Sequence, residues 1–403
     1  MQTSSSVRST RTSYSFFVTC AKGIEETLAT EIRGLLGREE VAVKKAGVSF
    51  EGTLADAYRV CLWSRVANRV LLPLGTFACR DEKQLYGGIK NIRWGDHLDV
   101  RGTLAVDFAE KDSAITHTHF GALKAKDAIV DQFRSNTGER PSVETHEPSI
   151  RINVYLIRDQ ATVSLDLSGE SLHLRGYRTR GEKAPLKETL AASILYLAGW
   201  PDAAREGKSL LDAMCGSGTI PLEAAAMAAD VAPALGRRYF GFLGWKQHDA
   251  GVWSELLSEA RVRREKGLAG SLPQIFGSDE SAAALAAATE NAKRAGFEKY
   301  VHFSRARFEE VSPPAGAAPG LIILNPPYGE RLGEEEELKP LYSQIGDSFK
   351  KRFSGWTGFV ITSSPILAKE VGLQPKQKFP LFNGALECRL FKYELYAGTR
   401  RTS

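Results

Sequence analysis

The segment LLDAMCGSGT, residues 210–219, decides the fold. It begins as a short apolar strand, turns through glycines and continues into a helical pattern over residues 220–229. Glycines let a ligand come close to the backbone, and the start of a helix offers N–H groups that have no partner within the helix. The spacing is not the full GxGxxG fingerprint of dinucleotide-binding turns, so a strand-to-helix turn that binds nothing remains the alternative for this stretch alone.

Strand and helix patterns alternate through the rest of the C-terminal half. The apolar runs that predict its strands lie at 210–211, 275–277, 301–303, 321–324 and 358–362. This alternation predicts an α/β fold, in which a mostly parallel sheet has helices on both faces. Asn383 and Gly384 precede an alternating run over 386–396, so the sheet should end in an antiparallel hairpin. Residues 232–270 interrupt the alternation, and we expect an insertion there.

Two small α+β units are expected in the N-terminal half, at residues 14–70 and 71–172. The first has a strand–helix–strand pattern, at 15–19, 23–36 and 41–50. The second has a strand, a helix and a hairpin, at 103–108, 121–134 and 150–167.

The remaining segments are a tail, a hinge and a C-terminal domain. Residues 1–13 are rich in Ser, Thr and Arg, and we expect a disordered tail, with a transit peptide as the alternative. Residues 173–184 are glycine-rich and basic and lack apolar periodicity, which predicts a hinge. The C-terminal domain then occupies residues 185–403.

The composition excludes several classes of protein. Of the 403 residues, 43% are hydrophobic and 25% are charged, as in ordinary globular proteins, and the net charge of +5 permits nucleic-acid binding without requiring it. No apolar run approaches the roughly 18 residues of a membrane-spanning helix. The five cysteines contain no CxxC pair, which argues against a disulfide framework or a zinc site and favours a cytoplasmic protein.

Asp279 ends the second predicted strand of the C-terminal domain. An acid at this place holds a ribose diol in doubly wound folds. The alternative is a helix cap, a duty that Ser278 could share. Together with the glycine turn, Asp279 favours a cofactor of the adenosine type.

The stretch LNPPYG, residues 324–329, follows the buried run 321–324. Each proline fixes its own φ and keeps the preceding residue out of the helical region, so Asn325 and Pro326 should be extended just past a strand end. The Asn325 side-chain oxygen and the Pro326 carbonyl are two acceptors suited to one NH₂ group, and Tyr328 offers a face for stacking a base. A turn that merely ends a strand is the alternative.

Two acceptors on one amino group would have a chemical consequence. The lone pair of an exocyclic amine on a base is delocalised into the ring, and hydrogen bonds to both protons can orient the nitrogen toward an electrophile held about 3 Å away. No metal is needed for such a step.

These motifs resemble a known family. DAMCGSGT followed by NPPYGERL is similar to the N-terminal half of the bifunctional bacterial RlmKL-type 23S rRNA methyltransferases, which is a guanine-N2 methyltransferase that uses S-adenosylmethionine. The resemblance runs from about Phe17 to Tyr396. It includes LWSRVANRVLLPLG (62–75), GALKAKDAIVDQF (121–133), LDLSGESLHLRGYR (165–178), PLKETLAA (185–192) and GFLGWKQHD (241–249).

The resemblance implies an architecture and a set of site residues. It implies a ferredoxin-like unit, a THUMP RNA-binding domain and a seven-stranded Rossmann-like class I methyltransferase domain. The implied base site consists of Asn325, Pro326, Pro327 and Tyr328. The implied cofactor contacts are Lys187, Glu188 and Thr189, which match a segment that closes over the cofactor, and Asp212, Ala213, Met214, Cys215, Gly216, Ser217, Gly218, Asp279 and Asn325.

The sequence departs from the family pattern in three places. Ala213 stands where the family more often has proline. Residues 304–307 lack the usual acid that contacts the adenine amino group, a role that Glu309 or a backbone carbonyl could take. No second methyltransferase half is present, so the resemblance predicts a stand-alone enzyme that does not form 7-methylguanosine.

A base inside folded RNA must be extruded before it can be methylated, and this needs anchors on the nearby phosphates. The candidate anchors are basic residues of the second unit and of the hinge, with solvated surface charge as the alternative for each. They are Lys124, Lys126, Arg175, Arg178, Arg180 and Lys183.

The predicted function is methylation of guanine N2 in 23S rRNA or a large-subunit precursor, by an enzyme that needs no metal and no membrane. Three alternatives remain open: methylation of guanine N2 in tRNA, methylation of glutamine N5 in a protein, and a ribosome-assembly factor without catalytic activity. The intact motif from Asn325 to Tyr328 argues against the last of these.

Overall fold

A computed structural model describes residues 12–178, 186–329 and 334–396. The strands are β1 (Tyr14–Thr19), β2 (Val41–Lys44), β3 (Gly47–Gly52), β4 (Arg69–Ala78), β5 (Thr103–Lys111), β6 (Ser142–Val143), β7 (Ile150–Ile157), β8 (Gln160–Asp166), β9 (Leu210–Asp212), β10 (Ile275–Asp279), β11 (Val301–Arg305), β12 (Leu321–Leu324), β13 (Thr357–Thr362), β14 (Gln377–Asn383) and β15 (Leu386–Glu394). The α-helices are α1 (Glu25–Leu36), α2 (Leu54–Trp63), α3 (Glu82–Lys90), α4 (Thr118–Thr137), α5 (Glu188–Leu197), α6 (Trp200–Arg205), α7 (Thr219–Ala228), α8 (Ala250–Ala269), α9 (Ala282–Ala295), α10 (Glu334–Arg352) and α11 (Pro365–Glu370). Residues 1–11 of the expected tail and residues 179–184 of the expected hinge lie outside the described residues.

The two expected N-terminal units share one sheet. Its strand order is β2-β3-β1-β4-β8-β7-β5-β6. The strand β4 joins the units, because it pairs with β1 on one side and with β8 on the other. The expected boundary at residue 71 falls inside β4, since Leu71 lies opposite Phe17 and opposite Asp166.

Residues 41–50 form a hairpin rather than the expected single strand. The turn between β2 and β3 contains Ala46, whose φ is 62°, a left-handed conformation that local apolar patterning does not reveal. Val41 then pairs with Phe50 across the hairpin.

The expected insertion, residues 232–270, packs into the N-terminal core. The Phe242 ring stacks on Tyr58 with a centroid distance of 4.2 Å, and Trp253 meets the Phe242 ring edge-on at 5.0 Å. Helix α8 runs beside α2, where the Arg59 guanidinium donates two 2.9 Å hydrogen bonds to the Glu259 carboxylate. The insertion therefore fastens the C-terminal domain to the N-terminal sheet.

The C-terminal sheet confirms the predicted α/β class. Its order is β11-β10-β9-β12-β13-β15-β14, and β15 alone runs opposite in direction to the other six strands. The predicted hairpin is present, with Asn383 paired to Leu386 across a turn whose Gly384 has φ 65°. The chain leaves β9 toward β10 and β11 and later returns to β12 on the other side of β9, so the switch point of the sheet lies between β9 and β12.

Replacing Phe242 by Ala should lower the free energy of unfolding by about 3–5 kcal/mol, because it removes a buried aromatic ring and leaves a cavity. Denaturant unfolding followed by tryptophan fluorescence measures this change. Val262→Ala, on an exposed position of α8, is the control and should stay within about 0.5 kcal/mol of the wild type. Equal losses in the two variants would contradict the packing of the insertion.

Candidate cofactor and base site

Three strands end together at the switch point. In the shared register, Asp212 of β9 lies beside Gly277 of β10 on one side and beside Ile323 of β12 on the other. Asp279 lies two residues after Gly277, and Asn325 lies two residues after Ile323. The fold thus brings the sequence-predicted cofactor loop, the acid and the amide to one edge of the sheet.

The glycine loop needs its glycines. Gly216 and Gly218 have φ values of 51° and 82°, in the left-handed region that other residues rarely adopt. A Cβ on Gly218 would lie 2.9 Å from the Phe303 ring. The loop is also tied to its surroundings, because the Cys215 N–H donates to the Ser278 carbonyl and the Asn291 amide donates to the Ser217 carbonyl.

Asp279 connects the loop to the next helix. Its carboxylate accepts a hydrogen bond from the Gly216 N–H at 2.9 Å and another from the Ser281 N–H at 2.9 Å. The helix cap of α9 is Ser281, whose hydroxyl accepts from the Ala284 N–H, so neither Asp279 nor Ser278 caps the helix. A carboxylate has about four lone-pair positions, which leaves acceptor capacity for a diol.

The contact to the adenine amino group remains open. Glu309, the acid considered for it, pairs with the Arg307 guanidinium at 2.7 Å.

Asp212 is a buried carboxyl group with one local donor. It is 2% exposed and accepts a 3.2 Å hydrogen bond from the Met214 N–H. The pKa of Asp212 is raised to about 8, chiefly by burial and also by the nearby Asp279 charge, while the Met214 hydrogen bond lowers it. A cationic or hydroxyl-bearing ligand beside Asp212 would offset the cost of burying its ionised form.

The NPPY bend is anchored at two points. The Tyr342 hydroxyl donates to the Pro327 carbonyl at 3.2 Å, and the Asn383 amide donates to the Tyr328 hydroxyl at 3.0 Å. Among the described residues, the buried Oδ1 atom of Asn325 accepts no hydrogen bond. Sequence reasoning did not identify Tyr342 or Asn383 as part of this site, because Asn383 indicated only a turn and Tyr342 belongs to none of the motifs.

The segment from Lys187 to Thr189 lies at the start of α5, where Lys187 is the N-cap residue and Glu188 is the first residue of the helix. Glu188 is buried and its carboxylate lies 3.7 Å from the Arg178 guanidinium, while the Thr189 hydroxyl donates to Asn68 of the N-terminal unit. Arg178 also donates to the hydroxyl of Thr219, the residue that follows Gly218. Their contact with a cofactor remains a prediction.

The prediction that Arg175 contacts RNA is wrong. Arg175 is 4% exposed, and its guanidinium donates to the Leu172 and Arg65 carbonyls at 2.6 Å and lies 3.6 Å from Glu223. The Arg178 side chain is 12% exposed, and its guanidinium contacts Glu188 and Thr219 within the protein. These cations stabilise the junction between the domains and are not presented to phosphate.

Two other predicted RNA contacts lie on α4. The Lys124 ammonium is 3.8 Å from Glu82, and the Lys126 ammonium is 2.6 Å from Asp127. Both side chains are about one-third exposed or slightly less, so their role toward RNA remains a prediction. Arg180 and Lys183 lie outside the described residues.

No cluster of three or more His, Cys, Asp or Glu side chains within 12–178, 186–329 and 334–396 is arranged to hold a metal. No helix in this part of the chain is both long and apolar enough to cross a membrane.

Asp212 predicts a pH-dependent stability of the cofactor-free protein. Its folded pKa of about 8 exceeds its ordinary value of 3.8, so between these values the folded state holds a proton that the unfolded chain releases. Stability should therefore fall as pH rises through this window. Asp212→Asn cannot ionise and keeps an acceptor for the Met214 N–H, so it should remove that fall.

Urea unfolding at pH 5 and pH 8 tests this prediction. The stability advantage of Asp212→Asn over the wild type should grow by roughly 1–4 kcal/mol between the two pH values. Asp202→Asn, an exposed carboxylate on α6, is the control. An advantage that is equal at both pH values would contradict the raised pKa.

Three families of domains match consecutive parts of this chain. The family described as "RMKL-like, methyltransferase domain" matches residues 175–392. The family described as "RlmL ferredoxin-like domain" matches residues 15–71, and the THUMP domain matches residues 79–166.

Similar proteins extend over nearly the whole chain. "Ribosomal RNA large subunit methyltransferase K/L" of Syntrophotalea carbinolica is 50% identical over 94% of this chain and 53% of its own length, and the protein of the same name from Methylococcus capsulatus is 51% identical over 94% and 51%. The chain thus spans about half the length of these curated relatives. The solved structure described as "SMU.472, a putative methyltransferase complexed with SAH" covers 97% of this chain and 100% of its own, with a TM-score of 0.82 and 28% identity. The chain therefore belongs to the RMKL-like methyltransferase family and carries an RlmL ferredoxin-like domain and a THUMP domain ahead of the methyltransferase domain.

Proposed function

We propose that this chain transfers a methyl group from S-adenosylmethionine to the exocyclic N2 of a guanine in 23S rRNA or a large-subunit precursor, in the cytoplasm. The observation that carries the proposal is the buried Asn325 Oδ1, an acceptor without a partner among the described residues. Asn325 lies two residues after Ile323, which is paired with Asp212 in the sheet. A buried acceptor left unpaired costs about 1–3 kcal/mol, and a donor NH₂ group would remove that cost.

The residues at the loop fit S-adenosylmethionine. Asp212 is a buried carboxyl suited to a cationic amino group, and the Asp279 carboxylate retains lone pairs for a ribose diol. A Cβ on Gly216 would point into open space, so the glycine leaves that face of the loop free for a ligand, while Gly218 lets the loop pack closely against Phe303. When bound, this cofactor supplies an electrophilic methyl group on a sulfonium.

Asn325 and Pro326 would hold the amine of the target guanine. The Asn325 Oδ1 and the Pro326 carbonyl accept its two protons, and the Tyr328 ring offers a stacking face to the purine. The amine becomes acidic once its nitrogen is bonded to the methyl carbon, so it loses one proton after the transfer. Solvent water can take up that proton. A carboxylate, Glu330, follows the bend in the sequence and lies outside the described residues.

Large-subunit rRNA is the preferred substrate because the similar proteins from Syntrophotalea carbinolica and Methylococcus capsulatus bear that substrate in their name. The THUMP match at residues 79–166 suits a nucleic acid better than a protein substrate, which disfavours methylation of glutamine. The base must leave its stack to reach the bend, and unpaired or loop nucleotides lose the least stacking energy in doing so.

Transfer of labelled methyl groups tests the substrate. The chain is incubated with labelled S-adenosylmethionine and either 23S rRNA or tRNA transcribed without modifications, and the RNA is digested to nucleosides. We expect label in N2-methylguanosine from 23S rRNA. Label only in tRNA would replace the substrate, and label in neither RNA with cofactor still bound would favour the assembly-factor alternative.

Two variants separate the base site from the cofactor site. Asn325→Ala should lower kcat by roughly 100-fold or more, as loss of a positioning contact does, while the Kd for S-adenosylmethionine changes by less than about twofold. Asp279→Ala loses charge-assisted hydrogen bonds of about 1.5–3 kcal/mol and should weaken cofactor binding by roughly 10-fold to 100-fold. Calorimetry and single-turnover kinetics that gave the reverse pattern would show that the two sites had been assigned wrongly.

A further inference from the structure

A basic groove lies on the methyltransferase domain, outside the sites described above. It has a volume of about 440 Å³ and runs between α11 with its following loop and the β14–β15 hairpin. Its basic lining residues are Lys369, Lys378 and Arg389, and its apolar floor includes Phe391. Lys350 adds a fourth cation, because its ammonium lies 3.5 Å from where a Cβ on Gly372 would be.

The charge of this groove is poorly balanced. No Asp or Glu belongs to its lining. Lys350, Lys369 and Lys378 make no ion pair within the described ranges, and Lys378 instead lies 5.7 Å from the centre of the Phe391 ring. Arg389 has one long ion pair, with the Glu387 carboxylate at 3.7 Å. Exposed lysines so close together repel one another, and an anion placed between them would offset that repulsion.

The strand register relates the groove to the base site. Leu324 lies beside Val360, and Thr362 lies opposite Arg389, so Arg389 stands at the level reached by Pro326. Two strand spacings separate β12 from β15, which amounts to about 10 Å. The Arg389 end of the groove therefore lies at the same level along the strands as the base site.

The groove and the NPPY bend are also held by one core. Phe391 on the groove floor and Tyr342 belong to the same cluster of buried side chains. The Tyr342 hydroxyl holds the Pro327 carbonyl, and the β14 end reaches the bend through the bond from Asn383 to Tyr328. An anion bound in the groove would thus sit at a fixed position relative to the target base.

We infer that this groove binds the phosphate backbone of the substrate RNA beside the flipped nucleotide. The inference rests on the proposed function, since it takes the strand that delivers its base to Asn325 as the occupant. The cations would hold consecutive phosphates, and the Phe391 floor would face the sugar side of the strand. Phosphate contacts of this kind fix the register of a nucleic acid without reading its sequence.

The test uses the full chain and the double variant Lys369→Gln/Lys378→Gln. Neither residue touches the cofactor loop or the bend, so the Kd for S-adenosylmethionine, the unfolding curve and kcat at saturating RNA should stay at wild-type values. The KM for unmodified 23S rRNA should rise roughly tenfold. A plot of the logarithm of the RNA association constant against the logarithm of the salt concentration has a negative slope. For a single-stranded RNA, this slope should become shallower by about 0.7 for each phosphate contact removed.

The matched control is Lys293→Gln/Lys299→Gln, which removes one exposed charge in the last turn of α9 and one just before β11. The strand β11 is the outer strand on the side of the sheet away from β14. A KM and a salt slope equal in the two double variants would overturn the inference. Competition by poly-glutamate as strong as competition by RNA of equal charge would also overturn it, in favour of an acidic protein partner.

The groove inference and the proposed function can fail independently of each other. A wild-type chain that methylates no 23S rRNA refutes the proposed function, even where the groove variant still loses salt-dependent RNA binding. A wild-type chain that methylates 23S rRNA with the same KM as the groove variant refutes only the groove.

Discussion

The hydrogen bond from the Gly216 N–H to the Asp279 carboxylate holds the two halves of the candidate cofactor site together. It joins the loop after β9 to the end of β10, and the same carboxylate accepts from Ser281 where α9 begins. The bond requires Gly216 at φ 51°, a conformation that costs other residues about 1–2 kcal/mol. One carboxylate thereby sets the path of the loop and the start of a helix, and the position of any ligand at this edge depends on both.

A second constraint acts along α7. Arg65 of the N-terminal unit donates to the Ala226 and Val231 carbonyls at the C-terminal end of this helix, while Arg178 donates to Thr219 at its first turn. The buried Glu223 in between lies beside Arg175. Removing one member of a buried ion pair typically costs 3–5 kcal/mol, so the arrangement resists rotation of the domains. The N-terminal half and the candidate cofactor loop are therefore both held by one short helix.

Patterns within single segments predicted the C-terminal sheet, the glycine loop and the NPPY bend, because each depends on neighbours in the chain. The same reasoning missed the turn at Ala46, since a left-handed residue leaves no apolar signature. It also placed Arg175 on an RNA-facing hinge, although the residue is buried at the domain junction. The contact of Asn383 with Tyr328 and the packing of Phe242 on Tyr58 join distant segments, and only the tertiary fold determines them.

At position 325 an amide serves better than a carboxyl group. The pKa of Asp212, which lies at the same end of the parallel strands, indicates why. Burial raises the pKa of Asp212 to about 8, so in the cofactor-free protein this carboxyl group holds a proton at neutral pH. A protonated carboxyl group can donate a hydrogen bond, and it would then compete for the role of acceptor. The Asn325 oxygen is an acceptor at every pH, and its burial without a partner among the described residues leaves its lone pairs for an incoming amine. The anchoring of the bend by Tyr342 and Asn383 then keeps that oxygen in place without satisfying it.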